Sequence, residues 1–266
     1  MSFHHRPRKR FGQNFLIDQS IIQRIVSAID PCAEDNLIEI GPGMAAITEH
    51  LVKHCPDMTL VELDLDLIDY LHSKFEDYPN LSIFSGDALQ TDFEQFFQGK
   101  KLRLVGNLPY NISTPLLFHL LEVRDLIQDM HFMLQREVVD RLAAKPNDKA
   151  YGRLSVMIQY HCRVMPMIPV PPSSFRPPPK VQSAVVRLTP HSAITLPAEN
   201  LKLLSQVVNL SFQQRRKTLR NSLSLFADHL PAVEDIIDLT QRPQQLSVQQ
   251  FVQLANAINR SKGTTG

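Results

Sequence analysis

The sequence predicts an open α/β fold, a mostly parallel sheet flanked by helices, followed by a small α-helical domain. Two patterns carry this expectation. Short apolar runs at 37–40, 59–61, 81–84 and 102–105 recur with helical patterns or polar turns between them, the alternation from which parallel sheets are built. Each run ends in a turn rich in glycine, proline or polar side chains: Gly41-Pro42-Gly43, Glu62, Gly86-Asp87, and Asn107-Leu108-Pro109-Tyr110. In open α/β sheets, ligands sit outside the carboxyl ends of the strands. Residues 191–200 read as a linker, and beyond them the composition shifts to helix formers. The expected domains are therefore 1–190 and 191–266.

Composition narrows the function classes. The chain has 266 residues, 43% of them hydrophobic and 21% charged, which is ordinary for a globular protein. That length suits one large domain, or a medium one plus a small one. A net charge of +1 supplies no global field for nucleic acid, so any such binding needs local patches. Cys32, Cys55 and Cys162 lie far apart, with neither metal-ligand spacing nor a disulfide framework, as expected in a reducing, cytoplasmic compartment. No apolar run is long enough to span a membrane. The basic first ten residues lack the apolar stretch that would make them a secretory signal.

In chain order, His4-His5-Arg6-Pro7-Arg8-Lys9-Arg10 is either a solvated tail or a phosphate-contacting arm. Phe11-Gly12-Gln13-Asn14-Phe15-Leu16 leads into a helix with Asp18 as N-cap. Ile21, Ile22, Ile25, Val26 and Ile29 form its apolar face, and Pro31 stops it. Gly41-Pro42-Gly43-Met44-Ala45-Ala46 opens a helix running to about residue 53. Ala46 stands where the dinucleotide fingerprint has its third glycine, so a tight turn without a pyrophosphate is the better reading, with a plain βα turn as the alternative. Glu62 stands 21 positions beyond Gly41, close to the spacing of an acid that reaches ribose hydroxyls. A carboxylate suits that task because it accepts from both vicinal hydroxyls. The alternative is an acid favoured at a helix N-terminus, alongside Asp64 and Asp66. Asp87 can accept from a purine amine or simply shape a turn.

The run 102–105 leads into Gly106-Asn107-Leu108-Pro109-Tyr110, and Pro109 forces the chain to turn. The turn presents the Asn107 carboxamide, a carbonyl from Leu108 or Pro109, and the face of Tyr110. These suit a flat base with an exocyclic amine: two acceptors for two N–H protons and an aromatic for stacking. A structural Asn-Pro turn is the bland alternative, and four successive strands ending in complementary groups outweigh it. A strand at 130–134, helices at 115–122, 137–144 and 154–161, a polar loop at 145–153 and a strand at 163–170 follow. The proline-rich stretch 171–180 must be a stiff loop. Within it, Phe175 is either a core plug or a second aromatic face opposite Tyr110. A strand at 181–188 returns to the sheet. The tail has helices at 201–212, 233–239 and 248–260, with Arg215-Arg216-Lys217-Thr218-Leu219-Arg220 opening or continuing another. Four cations in six positions, without balancing acids, point to phosphate contact.

Taken in this order, the residues resemble the KsgA/RsmA-type small-subunit ribosomal RNA adenine dimethyltransferases. The resemblance is carried by Gly12-Gln13-Asn14-Phe15-Leu16, Glu39-Ile40-Gly41-Pro42-Gly43, Val61-Glu62-Leu63-Asp64, Gly86-Asp87-Ala88, Asn107-Leu108-Pro109-Tyr110 and Phe175-Arg176-Pro177-Pro178-Pro179-Lys180-Val181. It covers nearly the whole chain and continues through Gln214-Arg215-Arg216-Lys217. Ala45 replaces a glycine that many members carry, adding a methyl expected near the cofactor. The resemblance implies a Rossmann-like class I methyltransferase sheet, residues 1–190 being catalytic and dependent on S-adenosyl-L-methionine, with 191–266 binding RNA and the ribosome. It also implies that Asn14 and Leu16 flank the cofactor, Gly41 lies beneath its methionine part, Glu62 holds the ribose and Asp87 the adenine amine. Asn107 borders the cofactor and, with Leu108, Pro109 and Tyr110, holds the target adenine, with Phe175 on its other face. Arg215, Arg216, Lys217 and Arg220 are then RNA contacts. The implied substrate is a pair of adjacent adenines in the 3′-terminal hairpin loop of 16S rRNA, within the 30S subunit during its biogenesis. The implied enzyme is a cytoplasmic monomer. Rival readings are a large-subunit rRNA adenine methyltransferase and a non-catalytic ribosome-assembly factor on the same fold.

Overall fold

The computed structural model describes residues 14–263. The basic arm and Gly12-Gln13 of the first motif lie outside the described residues. The elements in order are β1 (Phe15–Leu16), α1 (Gln19–Ile29), β2 (Asn36–Ile40), α2 (Thr48–Leu51), β3 (Thr59–Glu62), α3 (Leu65–Lys74), β4 (Ser82–Ser85), β5 (Leu102–Asn107), α4 (Ser113–Glu122), β6 (Ile127–Gln135), α5 (Arg136–Ala143), α6 (Arg153–His161), β7 (Cys162–Val170), β8 (Phe175–Arg176), β9 (Ser183–Pro190), α7 (Leu201–Gln213), α8 (Leu219–Ser222) and α9 (Val248–Gly263).

The expected α/β sheet is present, with strand order β4-β3-β2-β5-β6-β9-β7. Strands β4, β3, β2, β5 and β6 run parallel, and β9 is antiparallel to β6. The order runs outward from β2 in both directions, so a crevice opens where β2 and β5 end, as the switch-point rule requires. Gly106 lets these two strands approach there, because a Cβ at that position would lie 2.5 Å from the Ile40 carbonyl oxygen. Helix α1 starts where Asp18 Oδ1 accepts from the Ser20 and Ile21 N–H groups. It buries Ile21, Ile22, Ile25 and Ile29 in a core with Leu37, Leu60, Leu71 and Met133. It ends at Asp30, whose φ is 51°, just before Pro31.

The helix expected up to residue 53 is shorter: turns occupy 43–47 before α2. No helix forms over 233–239; a 3-10 segment containing Pro231 ends at Val233, and turns follow. The cationic segment begins as a turn after α7, and its last residues, Leu219 and Arg220, open the short α8.

The chain divides into two compact units. The first holds the described residues up to Val139 together with Met165–Pro190, and the second holds Asp140–Val164 with the described residues from His191 onward. Residues 140–164 thus group with those from 191 onward. The physical reason lies inside the second unit. Tyr151 is 0% exposed, and its hydroxyl donates to the Leu246 carbonyl at 2.9 Å. The Asn147 N–H donates to the Gln244 carbonyl at 2.8 Å, and Phe212 stands edge-on to Tyr151. No helix among the described residues is long and apolar enough to cross a membrane.

Candidate active site

A cavity of about 220 Å³ lies at the carboxyl ends of β2, β3, β4 and β5. Its wall includes Asn14, Leu16, Gly41, Glu62, Asp87, Asn107, Leu108, Pro109 and Tyr110. One strand end after another therefore delivers its sequence-predicted residue to the same space.

Gly41 has φ +67°, and a Cβ there would find nothing within 4 Å. The left-handed conformation favours glycine, and the missing side chain leaves room in the wall. Ala45 also has a positive φ, 66°, at a cost of about 1 kcal/mol for a residue with a Cβ. Contrary to expectation, its methyl is not near the ligand space: Ala45 is 0% exposed in the core cluster and is absent from the cavity wall.

Glu62 is held rigidly. Its Oε1 accepts from the N–H groups of Leu63 at 2.8 Å and Asp64 at 2.9 Å, and its Oε2 from Gly43 at 3.3 Å. Burial pushes its pKa up, against these three bonds. Asp87 spends Oδ1 on the Leu89 N–H at 2.9 Å; no described group donates to its Oδ2. Such an arrangement fits S-adenosyl-L-methionine: an open glycine floor, one carboxylate placed for vicinal hydroxyls, a second with a free oxygen for an amine, and apolar surface from Leu16, Ile40 and Ala88. Among the described residues, no group of three or more His, Cys, Asp or Glu is arranged to hold a metal ion.

Asn107 ends β5. Its Nδ2 donates to the Asn14 carbonyl at 3.1 Å, which sets the orientation of the amide and leaves Oδ1 to accept. The two candidate carbonyls of the turn now separate. The Pro109 carbonyl is taken by the Ile112 N–H at 3.2 Å, whereas no described backbone N–H donates to that of Leu108. Tyr110 is half-buried, its hydroxyl 2.8 Å from Ser183 Oγ. Burial raises its pKa, against the Ser183 bond, so the phenol stays neutral at ordinary pH and is no proton acceptor.

Phe175 is not brought to the wall. It is 3% exposed and packs in the core with Leu16, Val170 and Val185. The cause is local. Leu16 pairs with Phe175 across β1 and β8, the Ser174 hydroxyl donates to Asp18 Oδ2 at 2.9 Å, and the Ile17 N–H donates to the Ser174 carbonyl. The proline clusters announce a stiff loop but not the direction in which its ring faces.

The cationic segment divides too. Arg215 Nη2 donates to the carbonyls of Lys149 at 2.9 Å and Tyr151 at 3.0 Å. Arg220 pairs with Glu234 at 2.8 Å. Arg216 and Lys217 are exposed, and their side chains make no hydrogen bond or ion pair among the described residues. Glu39, which sequence reasoning treats only as part of a motif, also lines the cavity. The available signal was an acid inside an otherwise apolar strand run.

Comparison with known proteins agrees with this geometry. The family model for ribosomal RNA adenine dimethylase matches residues 4–260. Ribosomal RNA small subunit methyltransferase A of Aliivibrio salmonicida (strain LFI1238) is 54% identical over 258 residues, 96% of this chain and 92% of the relative. The crystal structure of a dimethyladenosine transferase from Plasmodium falciparum superposes with a TM-score of 0.82 at 26% identity, covering 93% of this chain and 98% of that one. The 23S rRNA methyltransferase ErmE shares the fold, with a TM-score of 0.71 at 24% identity over 92% of this chain and all of that one. With a family match over nearly its whole length and a cavity that fits the methyl-donating cofactor, the chain belongs to the ribosomal RNA adenine dimethylase family, as an S-adenosyl-L-methionine-dependent methyltransferase.

Proposed function

We propose that the chain dimethylates the N6 amines of two adjacent adenines in the 3′-terminal hairpin loop of 16S rRNA. It does so within the 30S subunit, as a cytoplasmic monomer, in the course of subunit biogenesis. The observation that carries the reading is that Asn107, Leu108 and Tyr110 share one cavity wall with Gly41, Glu62 and Asp87.

When bound, S-adenosyl-L-methionine supplies an electrophilic methyl on a sulfonium. Gly41, Asn14 and Leu16 border it, Glu62 accepts from the ribose and Asp87 from the adenine amine. Asn107 Oδ1 and the Leu108 carbonyl would accept hydrogen bonds from the two N–H groups of the target amine and thereby aim its lone pair into the cavity. Orientation of this kind can supply several kcal/mol, and the same two dipoles stabilise positive charge developing on nitrogen. The neutral Tyr110 ring stacks on the base, worth about 1–3 kcal/mol. No general base is needed, since the amine becomes acidic only after transfer and then loses its proton to water. A monomethylated amine retains one N–H, so the second transfer needs one acceptor and room for a methyl. In the second unit, Arg216 and Lys217 contact phosphate.

Labelled cofactor incubated with undermethylated small subunits, and in parallel with large subunits, tests this proposal. Label at two adjacent adenines of the small-subunit hairpin is the expected result. Label in large-subunit RNA would transfer the assignment to that substrate, and cofactor binding without transfer to either would leave an assembly factor.

A further inference from the structure

The cavity wall carries three carboxyl groups, Glu39, Glu62 and Asp87, and among the described residues no lysine, arginine or histidine. The three are not equivalent. Glu62 accepts three backbone N–H groups, and Asp87 accepts one. Glu39 is 2% exposed, next to the last residue of β2, and among the described residues its side chain accepts one hydrogen bond, from the Thr48 hydroxyl to Oε2 at 2.7 Å. The groups around it are few. Glu62 comes from β3, Asp87 follows β4, and α2 contributes the uncharged Thr48; β5 contributes Val105, opposite Glu39 in register, and the uncharged Asn107. A buried carboxyl without a cationic partner resists ionisation. Burial, reinforced by the Glu62 charge and opposed by the Thr48 bond, pushes Glu39 up to about 7. It therefore stands near its midpoint at neutral pH, where a charge entering the cavity can shift it.

The cofactor enters with a positive sulfur and leaves, after methyl transfer, as an uncharged thioether of nearly the same shape. Shape alone discriminates poorly between two such ligands, whereas charge discriminates well. We propose that Glu39 is the specificity-determining residue that distinguishes the charged cofactor from its spent form. Its carboxyl releases a proton to solvent when the sulfonium enters and takes one back when the thioether is left. This inference rests on reading the cavity as the cofactor's site. An ionised Glu39 favours the sulfonium, and a reprotonated one offers the thioether no charge to hold it, so product release is favoured without any movement of the wall.

Isothermal titration of the full chain with S-adenosyl-L-methionine and with S-adenosyl-L-homocysteine, at pH 6 and pH 8, provides the test. Running it in two buffers of different ionisation enthalpy counts the protons. In the wild type, preference for the sulfonium over the thioether should rise roughly tenfold between pH 6 and pH 8, with proton release near pH 7 on binding the sulfonium alone. Glu39→Gln should bind the thioether as the wild type does, while its preference for the sulfonium becomes independent of pH. A wild-type preference equal at both pH values overturns the inference, as does a variant that weakens both ligands equally. Should the variant not fold, the wild-type comparison decides. A wild type that binds neither ligand would instead refute the cavity as the cofactor's site.

Discussion

The strand β5 carries a polar residue towards each end, and the two are used in opposite ways. Near its start, Arg103 is 6% exposed and all five of its guanidinium N–H groups are spent. They go to both Asp129 oxygens, Asp35 Oδ2, and the carbonyls of Ile29 and Asp30. On β9, Arg187 adds a bond to the Ala28 carbonyl and donates to His131 Nε2 at 2.7 Å. Two arginines of the sheet thus receive the last carbonyls of α1, groups that a helix end leaves unpaired. At the other end of β5, the Asn107 side chain spends only its Nδ2 among the described residues, on the Asn14 carbonyl. Both ends are polar and largely buried, but one is closed and the other keeps acceptors in reserve. A buried polar group normally finds its partners within the fold, so unspent acceptors converging on a cavity mark the end that takes a ligand.

That contrast predicts opposite failures. Arg103→Met leaves Asp35 and Asp129 without their cation and should destabilise the chain by about 3–5 kcal/mol in denaturant titrations, with cofactor affinity of the folded fraction retained. A loss below about 1 kcal/mol would remove Arg103 from the closed end as described. Asn107→Ala should do the reverse, lowering kcat by roughly 10²–10³-fold while the unfolding midpoint and cofactor affinity stay near wild type. Equal loss of cofactor binding would contradict its assigned role.

Glu39 sharpens the comparison through pH. Its pKa in the folded chain, about 7 against 4.5, means that the folded state holds a proton that the unfolded state has already lost between these values. Stability from this group is therefore complete below about pH 4.5 and is lost as pH rises through 7, in total about 3 kcal/mol. Glu39→Gln should abolish that fall, so the variant gains on the wild type between pH 5 and pH 8 in thermal melts. Parallel pH profiles for the two proteins would refute the assignment. The smallest expected effect concerns the second unit. The double variant Arg216→Ala with Lys217→Ala should flatten the salt dependence of RNA binding by about 1.4 in log–log slope without changing the melting point. Arg215→Ala should instead lower the melting point, since that side chain holds the Lys149 and Tyr151 carbonyls. An unchanged salt slope in the double variant would take the pair out of the interface.

Much of this arrangement was legible in advance. The apolar runs became strands within a residue or two, because short runs rich in β-branched, leucine and aromatic side chains, bounded by turn residues, have few other uses. Glu62 was found by its spacing from Gly41, and Asn107 by the proline turn behind it. Phe175, Arg215 and Arg220 were not legible. An aromatic between prolines, or a cation among cations, has the same local pattern whether it faces a ligand or its own fold. Glu39 was written in the strand as an acid among apolar neighbours, but its weight depends on how few partners reach it.

The sequence by itself determined the order of strands and turns along the chain and the chemical type of each strand-end group, because periodicity, glycine and proline act locally. The tertiary structure decided which of those groups remain unspent: that among the described residues the Leu108 carbonyl is free and that of Pro109 is not, that Phe175 faces the core, and that residues 140–164 join the tail. Hydrogen-bond saturation and burial depend on partners tens of residues away, and no local pattern encodes those.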